Sequence, residues 1–244
     1  MPAPVNSIRP RAVDGWPARL ARSLWRARCP LCREPAAGDG LCAPCARALP
    51  WLGPACPRCA APLAPGDGTG PACGACLRRP PPFGLALAAF RYGFPLDRLL
   101  PRFKFHRDLA CGRLLAQWML PACAQAPRPD ALVPLPLHPA RLRERGYDQA
   151  LELARPLARG LALPLRADLL RRVRATAPQS RLDAPARRRN VRGAFRAAGT
   201  GAMPRHVALV DDVMTTGATL AEAARALRRA GADRVDAWVC ARVP

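Results

Sequence analysis

Residues 207–219 read VALVDDVMTTGAT. The apolar run Val207 to Val210 has the length and β-branching of a short buried strand. It runs into two carboxylates, Asp211 and Asp212, and then a Thr-Thr-Gly turn. An apolar-striped helix follows over Ala218 to Ala230, closed by Gly231. This order belongs in an open α/β sheet, where ligands sit at the carboxyl ends of strands. The backbone N–H groups of Thr215 to Thr219, the hydroxyls of Thr215, Thr216 and Thr219, and a helix N-terminus make an anion cradle suited to a phosphate. Gly217 lets the backbone come close to it. Asp211 and Asp212 would repel that phosphate, so they are read as acceptors for two adjacent sugar hydroxyls, directly or through Mg²⁺. One loop is thereby expected to hold a sugar and its phosphate, with Val210, Thr215, Thr216, Gly217, Ala218 and Thr219 as its binding residues.

Outward from this stretch the chain alternates strand and helix signals. Leu85–Tyr92, Ala131–Leu135 and Val235–Ala241 read as strands, and Asp108–Gln125 and Asp148–Arg159 as helices. The alternation predicts an α/β domain over residues 83–244, a mainly parallel sheet with flanking helices on both faces.

Before that domain the composition changes. Eight of the 11 cysteines form four C-x-x-C pairs: Cys29 and Cys32, Cys42 and Cys45, Cys56 and Cys59, Cys73 and Cys76. Each pair offers two thiolates to one tetrahedral ion, so four pairs imply two closed Zn²⁺ sites. Residues 29–79 are too poor in large apolar groups to build a core of their own, which makes metal binding a source of folding energy. Sequential and interleaved pairings of the four knuckles both satisfy the spacing. A thioredoxin-like redox role is the weaker alternative, because that chemistry uses one C-x-x-C in a βαβ setting. Cys111, Cys123 and Cys240 fall on expected helices or a strand and are read as buried apolar fillers. Residues 1–28 form a basic leader, with a possible helix from Trp16 to Arg26, and Pro80 to Pro82 a stiff spacer.

The formal net charge is +22, which favours polyanionic partners. Lys104 is the only lysine, so 38 of the 39 basic residues are arginine, and abundant Ala and Pro point to a GC-rich coding sequence that supplies part of that charge. No stretch has the apolar length of an export signal or a membrane span, so a cytoplasmic protein without membrane insertion is expected.

The 207–219 segment resembles the PRPP (5-phosphoribosyl 1-diphosphate) loop of type I phosphoribosyltransferases, and the larger pattern resembles the ComF family. The further motifs are the cysteine-rich N-terminus, FKFHRDLA from Phe103 to Ala110, VPLPLHPARLRERGYDQA from Val133 to Ala150, and the series Thr176, Gln179, Leu182, Arg187, Asn190, Gly193, Ala194 and Phe195. Asp148 departs from the family's usual Asn. The resemblance implies a type I phosphoribosyltransferase-like sheet behind a double zinc ribbon, PRPP bound with Mg²⁺, and an enzyme transferring the phosphoribosyl group. It further implies that Leu135, Pro136 and His138 meet the diphosphate, with Arg141, Arg143 and Arg145 after them. Asp211, Asp212, Arg141 and Arg145 form the catalytic set. A hood over Arg171 to Arg196, which includes nine arginines, closes the site with Arg187 and Asn190 toward the substrate. Through the family's association with DNA uptake in competence, single-stranded DNA and other competence proteins are implied as partners. The alternative is a DNA-binding competence factor whose PRPP site is a sensor or relic. The low aromatic content and the lack of a stacking platform among the basic residues count mildly against a dedicated single-strand binder.

Overall fold

A computed structural model describes residues 28–36, 40–63, 72–175, 189–199 and 201–244. They fall into two compact units, one ending at Arg47 and the other spanning Ala48–Pro244. The expected leader helix and the hood residues Thr176, Gln179, Leu182 and Arg187 lie outside the described residues.

The smaller unit carries a C-x-x-C knuckle at Cys29 and Cys32 and the short helix α1 (Ala43–Arg47), which contains Cys45. The larger unit begins with the same arrangement, a knuckle at Cys56 and Cys59 and α2 (Gly74–Arg78) with Cys76. The two knuckles are built alike. In each, the first cysteine N–H donates five residues ahead, to Glu34 at 2.8 Å and Ala61 at 2.9 Å, and antiparallel bridges join Arg28 to Pro35 and Ala55 to Pro62. In each, the residue after the second cysteine takes a left-handed conformation, Arg33 at φ 68° and Ala60 at φ 53°.

The larger unit then forms a four-stranded, wholly parallel sheet. Its strands are β1 (Ala86–Arg91), β2 (Ala131–Pro134), β5 (His206–Met214) and β6 (Arg234–Arg242), in the order β1-β6-β5-β2. A separate antiparallel pair, β3 (Leu170–Arg172) with β4 (Phe195–Ala197), frames the arginine-rich segment. The helices of this unit are α3 (Leu96–Phe105), α4 (Leu109–Ala124), α5 (Pro139–Arg145), α6 (Gln149–Gly160) and α7 (Ala218–Arg229).

Strand alternation sorts the core. Val207, Leu209, Val235, Ala237 and Val239 cluster with Leu220, Ala223, Ala224 and Leu227 of α7 and with Leu170 and Phe195 of the β3–β4 pair. The intervening residues Ala208, Val210, Trp238 and Cys240 are equally buried, and they turn to the face that α4 and α6 cover. The outer edge of β1 is covered by the chain after Ala48: Leu52 N–H donates to Ala89 at 3.0 Å, Arg91 N–H donates to Pro50 at 2.8 Å, and Trp51 packs on Phe90. The architecture is the mainly parallel sheet with flanking helices that the sequence implies, with a Cys-rich zinc-ribbon region before it.

Three elements differ from the sequence reading. The strand expected to stop at Val210 continues to Met214, because pairing with β6 persists through Asp211–Val239, Val213–Ala241 and Met214–Arg242. Helix α3 was not expected, since Pro95 and Pro101 punctuate it. Leu96, Leu99, Leu100 and Phe103 nevertheless make a full buried stripe at helical spacing. The basic stretch after His138 is the helix α5, with Pro139 at its first turn.

Candidate functional site

The carboxyl ends of β5, β2 and β1 open into a cleft of about 670 Å³. Its first wall is the β5–α7 turn, from which Asp211, Asp212, Thr215 and Thr219 line the cavity. Gly217 sits at φ 70° as the residue before α7, and a Cβ there would lie 3.0 Å from Met214 Cε. The left-handed turn and the close packing both require glycine. Thr216 Oγ1 accepts from Ala218 N–H at 3.4 Å, so its hydroxyl closes the turn, while Val210 and Ala218 are buried supports.

The second wall follows β2. Leu135 N–H donates to Val210 at 2.9 Å, which fixes the start of the loop against β5, and Leu135, Pro136 and Leu137 line the cleft. Asp148 anchors the loop from below: Oδ2 accepts from Leu137 N–H at 2.9 Å and Oδ1 accepts from Leu151 N–H at 3.1 Å. One carboxylate thus caps α6 with one oxygen and holds the loop with the other, where an asparagine would have to take both bonds on its single oxygen. Burial raises the Asp148 pKa, with a further push from Asp212, against the backbone donors. Arg141 and Arg145 line the cleft from α5, and the Arg145 guanidinium lies 5.2 Å from the centre of the Phe105 ring.

His138 does not reach the cavity lining; its Nδ1 accepts from Ala140 N–H at 3.3 Å and caps α5. Asn190 lies off the lining too, with its carbonyl accepting from Arg174 at 2.8 Å. Among the described hood residues it is Arg172, 5.4 Å from the centre of the Phe195 ring, that lines the cleft.

The two acidic residues of the strand end are not equivalent. Asp212 is buried; its Oδ1 accepts from Val213 N–H at 2.6 Å and its Oδ2 meets Lys104 Nζ at 2.9 Å. Asp211 is half-buried at the cleft, and its Oδ1 accepts from Asp212 N–H at 2.8 Å. Burial first, and the Asp212 carboxylate second, push the Asp211 pKa up, against the pull of Lys104.

Sequence reasoning quoted Phe103–Ala110 as a motif but gave Lys104 no role, it gave none to Tyr92, Phe105 or Gln149, and it named Arg172 only within the hood; all of these line the cleft. The available signal was that Lys104 is the only lysine. Exposed aromatics stand at this end of the sheet as well. Phe105 is 66% exposed under Arg145, and Phe94 is 55% exposed with Arg98 5.3 Å from its ring centre. Aromatic groups therefore do accompany arginines here, contrary to the sequence expectation.

The cysteines resolve into two quartets, Cys29, Cys32, Cys42, Cys45 and Cys56, Cys59, Cys73, Cys76, each with all sulfurs within 4.8 Å of one another. The pairing is therefore sequential. A zinc–sulfur bond of about 2.3 Å puts tetrahedral sulfurs roughly 3.8 Å apart. Cys32–Cys42 is 3.4 Å, Cys32–Cys45 is 3.7 Å and Cys59–Cys73 is 3.7 Å. The quartets fit two structural zinc sites. Burial works against ionising Cys29 and Cys56, but backbone donors, those of Cys42 and Cys73 foremost, outweigh it and bring the thiols down to about 6 and about 7. Cys111, Cys123 and Cys240 are buried, as read from the sequence.

Relatives of known name extend over nearly the whole chain. "DNA utilization protein YhgH" of Salmonella typhi is 40% identical over 222 residues, 88% of this chain and 96% of the relative. "Competence protein F" of Haemophilus influenzae is 36% identical over 214 residues, 84% of this chain and 92% of the relative. The chain belongs to the ComF family. A relative in Escherichia coli K12, also named "DNA utilization protein YhgH", is 36% identical over 222 residues. A family model for the double zinc ribbon domain matches residues 20–77, which contain all eight zinc-site cysteines. The ComF-family likeness thus covers both the ribbons and the cleft-bearing sheet. Among the described residues no helix is long and apolar enough to cross a membrane.

Proposed function

We propose that the cleft binds PRPP and that this ComF-family protein is a phosphoribosyltransferase acting in DNA uptake or utilization. The observation that carries the reading is convergence. Asp211 with Thr215 and Thr219, and the Leu135–Leu137 loop with Arg141 and Arg145, come from two separate parts of the chain and line one cavity at the carboxyl ends of two adjacent parallel strands. A 5-phosphate belongs on the Thr215–Thr219 turn at the start of the 12-residue α7. The ribose hydroxyls belong on Asp211, and the diphosphate on Arg141 and Arg145, whose planar forks suit paired phosphate oxygens.

In the reaction the bond between C1 and the diphosphate oxygen breaks as the acceptor's electron pair forms a new bond to C1, and the acceptor's proton leaves to solvent. The arginines take up charge developing on the diphosphate, so the rate comes from positioning and electrostatics rather than from a protein nucleophile. A Mg²⁺ ion brought in with the ligand would neutralise diphosphate oxygens. The Asp211 carboxylate at the cleft supplies the hard oxygen donor such an ion prefers. Association with DNA uptake rests on the names of the relatives.

The deciding experiment is calorimetric titration of PRPP with Mg²⁺ into the wild type and into Asp211→Asn. We expect saturable binding by the wild type and a loss of at least tenfold in the variant, with the melting temperature preserved. Equal affinity in the two proteins would remove the site assignment.

A second reading, DNA binding with PRPP as a sensor, gains from the exposed pairs Phe105 with Arg145 and Phe94 with Arg98, which offer stacking faces beside cations. A single-stranded oligonucleotide that binds the wild type but not Phe105→Ala, with no diphosphate release from PRPP under any acceptor tested, would favour it.

A further inference from the structure

Two cations that line the cleft, Lys104 and Arg172, have no part in the scheme above, and Lys104 is the one tied to the carboxylate pair. Lys104 projects from α3 between Phe103, which is fully buried, and Phe105, which is largely exposed. Its ammonium meets Asp212 at 2.9 Å, and its side chain shares the cleft wall with Leu100 and Pro101. Burial opposes the charge on Lys104 and Arg145 repels it, yet the fields of Asp212 and Asp211 prevail and raise its pKa.

Two independent observations mark this lysine as more than a surface charge. The first is compositional: 38 of the 39 basic residues are arginine, on exposed faces and in the cleft alike, and the single exception stands at the carboxylate pair. A guanidinium is broad, planar and forked, whereas an ammonium is a compact point charge on a flexible stem. The compact group is the one that stands opposite Asp212. The second is energetic. A largely buried ion pair gains little over well-packed apolar residues of the same volume, so its presence at a cleft argues for a task other than stability.

We propose that Lys104 is a positioning residue of the ligand site: it fixes and neutralises Asp212 in the cleft wall, leaving Asp211 as the one carboxylate open to the ligand. Asp212 is already committed, with Oδ1 on the Val213 N–H and Oδ2 on Lys104. The charge balance agrees. A ligand with a phosphate at one end and a diphosphate at the other would be repelled by two uncompensated carboxylates, and Lys104 removes one of them from the account. The inference rests on the reading of the cleft as a PRPP site.

The test compares the wild type with Lys104→Met, Lys104→Arg and the double variant Lys104→Met with Asp212→Asn. Each is titrated calorimetrically with PRPP and Mg²⁺ and checked by thermal melting. We expect Lys104→Met to lose at least tenfold in affinity because Asp212 is left buried and unpaired. Lys104→Arg should also lose at least tenfold despite its conserved charge. The double variant should recover most of the loss, since neither missing charge then needs the other. Wild-type affinity in Lys104→Met or Lys104→Arg would overturn the proposal. So would a double variant as weak as Lys104→Met, since that pattern means Lys104 touches the ligand directly. If Lys104→Met does not fold, the double variant still decides, because recovery of folding and binding together is the expected result and recovery of folding without binding is the opposing one. Should the wild type give no heat with PRPP, the PRPP reading fails by itself. The same four proteins titrated with inorganic diphosphate then decide on Lys104, and absence of wild-type binding to both probes overturns both.

Discussion

Gly112 on α4 faces the ring of Phe103 on α3, and replacing it with alanine should strain the wall that carries Lys104. A methyl group there would stand 2.8 Å from Phe103 Cδ2 and 3.0 Å from Cζ, and closer still to Cε2. Carbon pairs prefer about 3.5–4.0 Å. The ring has no free space to turn into: Phe103 is fully buried and lies 5.9 Å from the Tyr147 ring. Helix propensity alone favours alanine by about 0.8–1.0 kcal/mol. Overpacking costs about 1–3 kcal/mol, and a methyl this close to three ring atoms belongs in the upper half of that range, which leaves a net loss of about 1–2 kcal/mol. For a unit of this size that is a fall of roughly 2–8 °C in melting temperature. Because Lys104 adjoins Phe103, the same shift of α3 should lengthen the Lys104–Asp212 contact and weaken PRPP binding. The assay is thermal melting by circular dichroism together with PRPP calorimetry. Gly53→Ala is the control, since nothing lies within 4 Å of the added methyl. A Gly112→Ala protein that melts at or above the wild type would refute the reasoning, because propensity would then have outweighed the clash.

Elemental analysis of the untagged protein should find about two zinc ions per chain; near-zero metal with all eight quartet thiols titratable in the native state would contradict the two sites. Removing zinc from the second quartet should also lower the melting temperature of the sheet-bearing unit, because Cys59 accepts from Arg242 Nε at 2.9 Å at the end of β6. The Asp108 carboxyl gives a pH signature. Burial raises its pKa, but the N–H and thiol of Cys111 and the Arg102 guanidinium together hold it below its ordinary 3.8. A depressed folded value contributes stability above the unfolded pKa that disappears as pH falls through the folded one. Asp108→Asn should therefore melt below the wild type at pH 7, with the gap closing below about pH 4, and a gap constant down to pH 2 would contradict the assignment. Finally, PRPP with Mg²⁺ should weaken single-stranded DNA binding at matched ionic strength relative to equal Mg²⁺ and inorganic phosphate, because Arg141, Arg145 and Arg172 line the cleft and cannot serve both ligands. Identical DNA affinity in the two titrations would separate the sites.

The sequence by itself determined the parts of this protein whose chemistry is local. VALVDDVMTTGAT carries its strand, carboxylates and helix start in 13 consecutive residues, so the position of the candidate site could be proposed from residue types and spacing alone. The four C-x-x-C pairs likewise announced zinc, since each knuckle is complete within four residues. Tertiary structure decided what depends on partners distant in the chain. Knuckle pairing was open until the sulfurs gathered into two sequential quartets. The strand runs on to Met214 because β6 lies beside it, information absent from the segment itself. Helix α3 forms despite Pro95 and Pro101 because its four-residue apolar stripe is buried, and burial outweighs local propensity. Asp211 and Asp212 look alike in sequence. They become different groups only when Lys104, more than one hundred positions earlier, is brought to one of them. A local pattern fixes which chemistry a segment offers, while the electrostatics that assign each group its task depend on separations set by the packed chain.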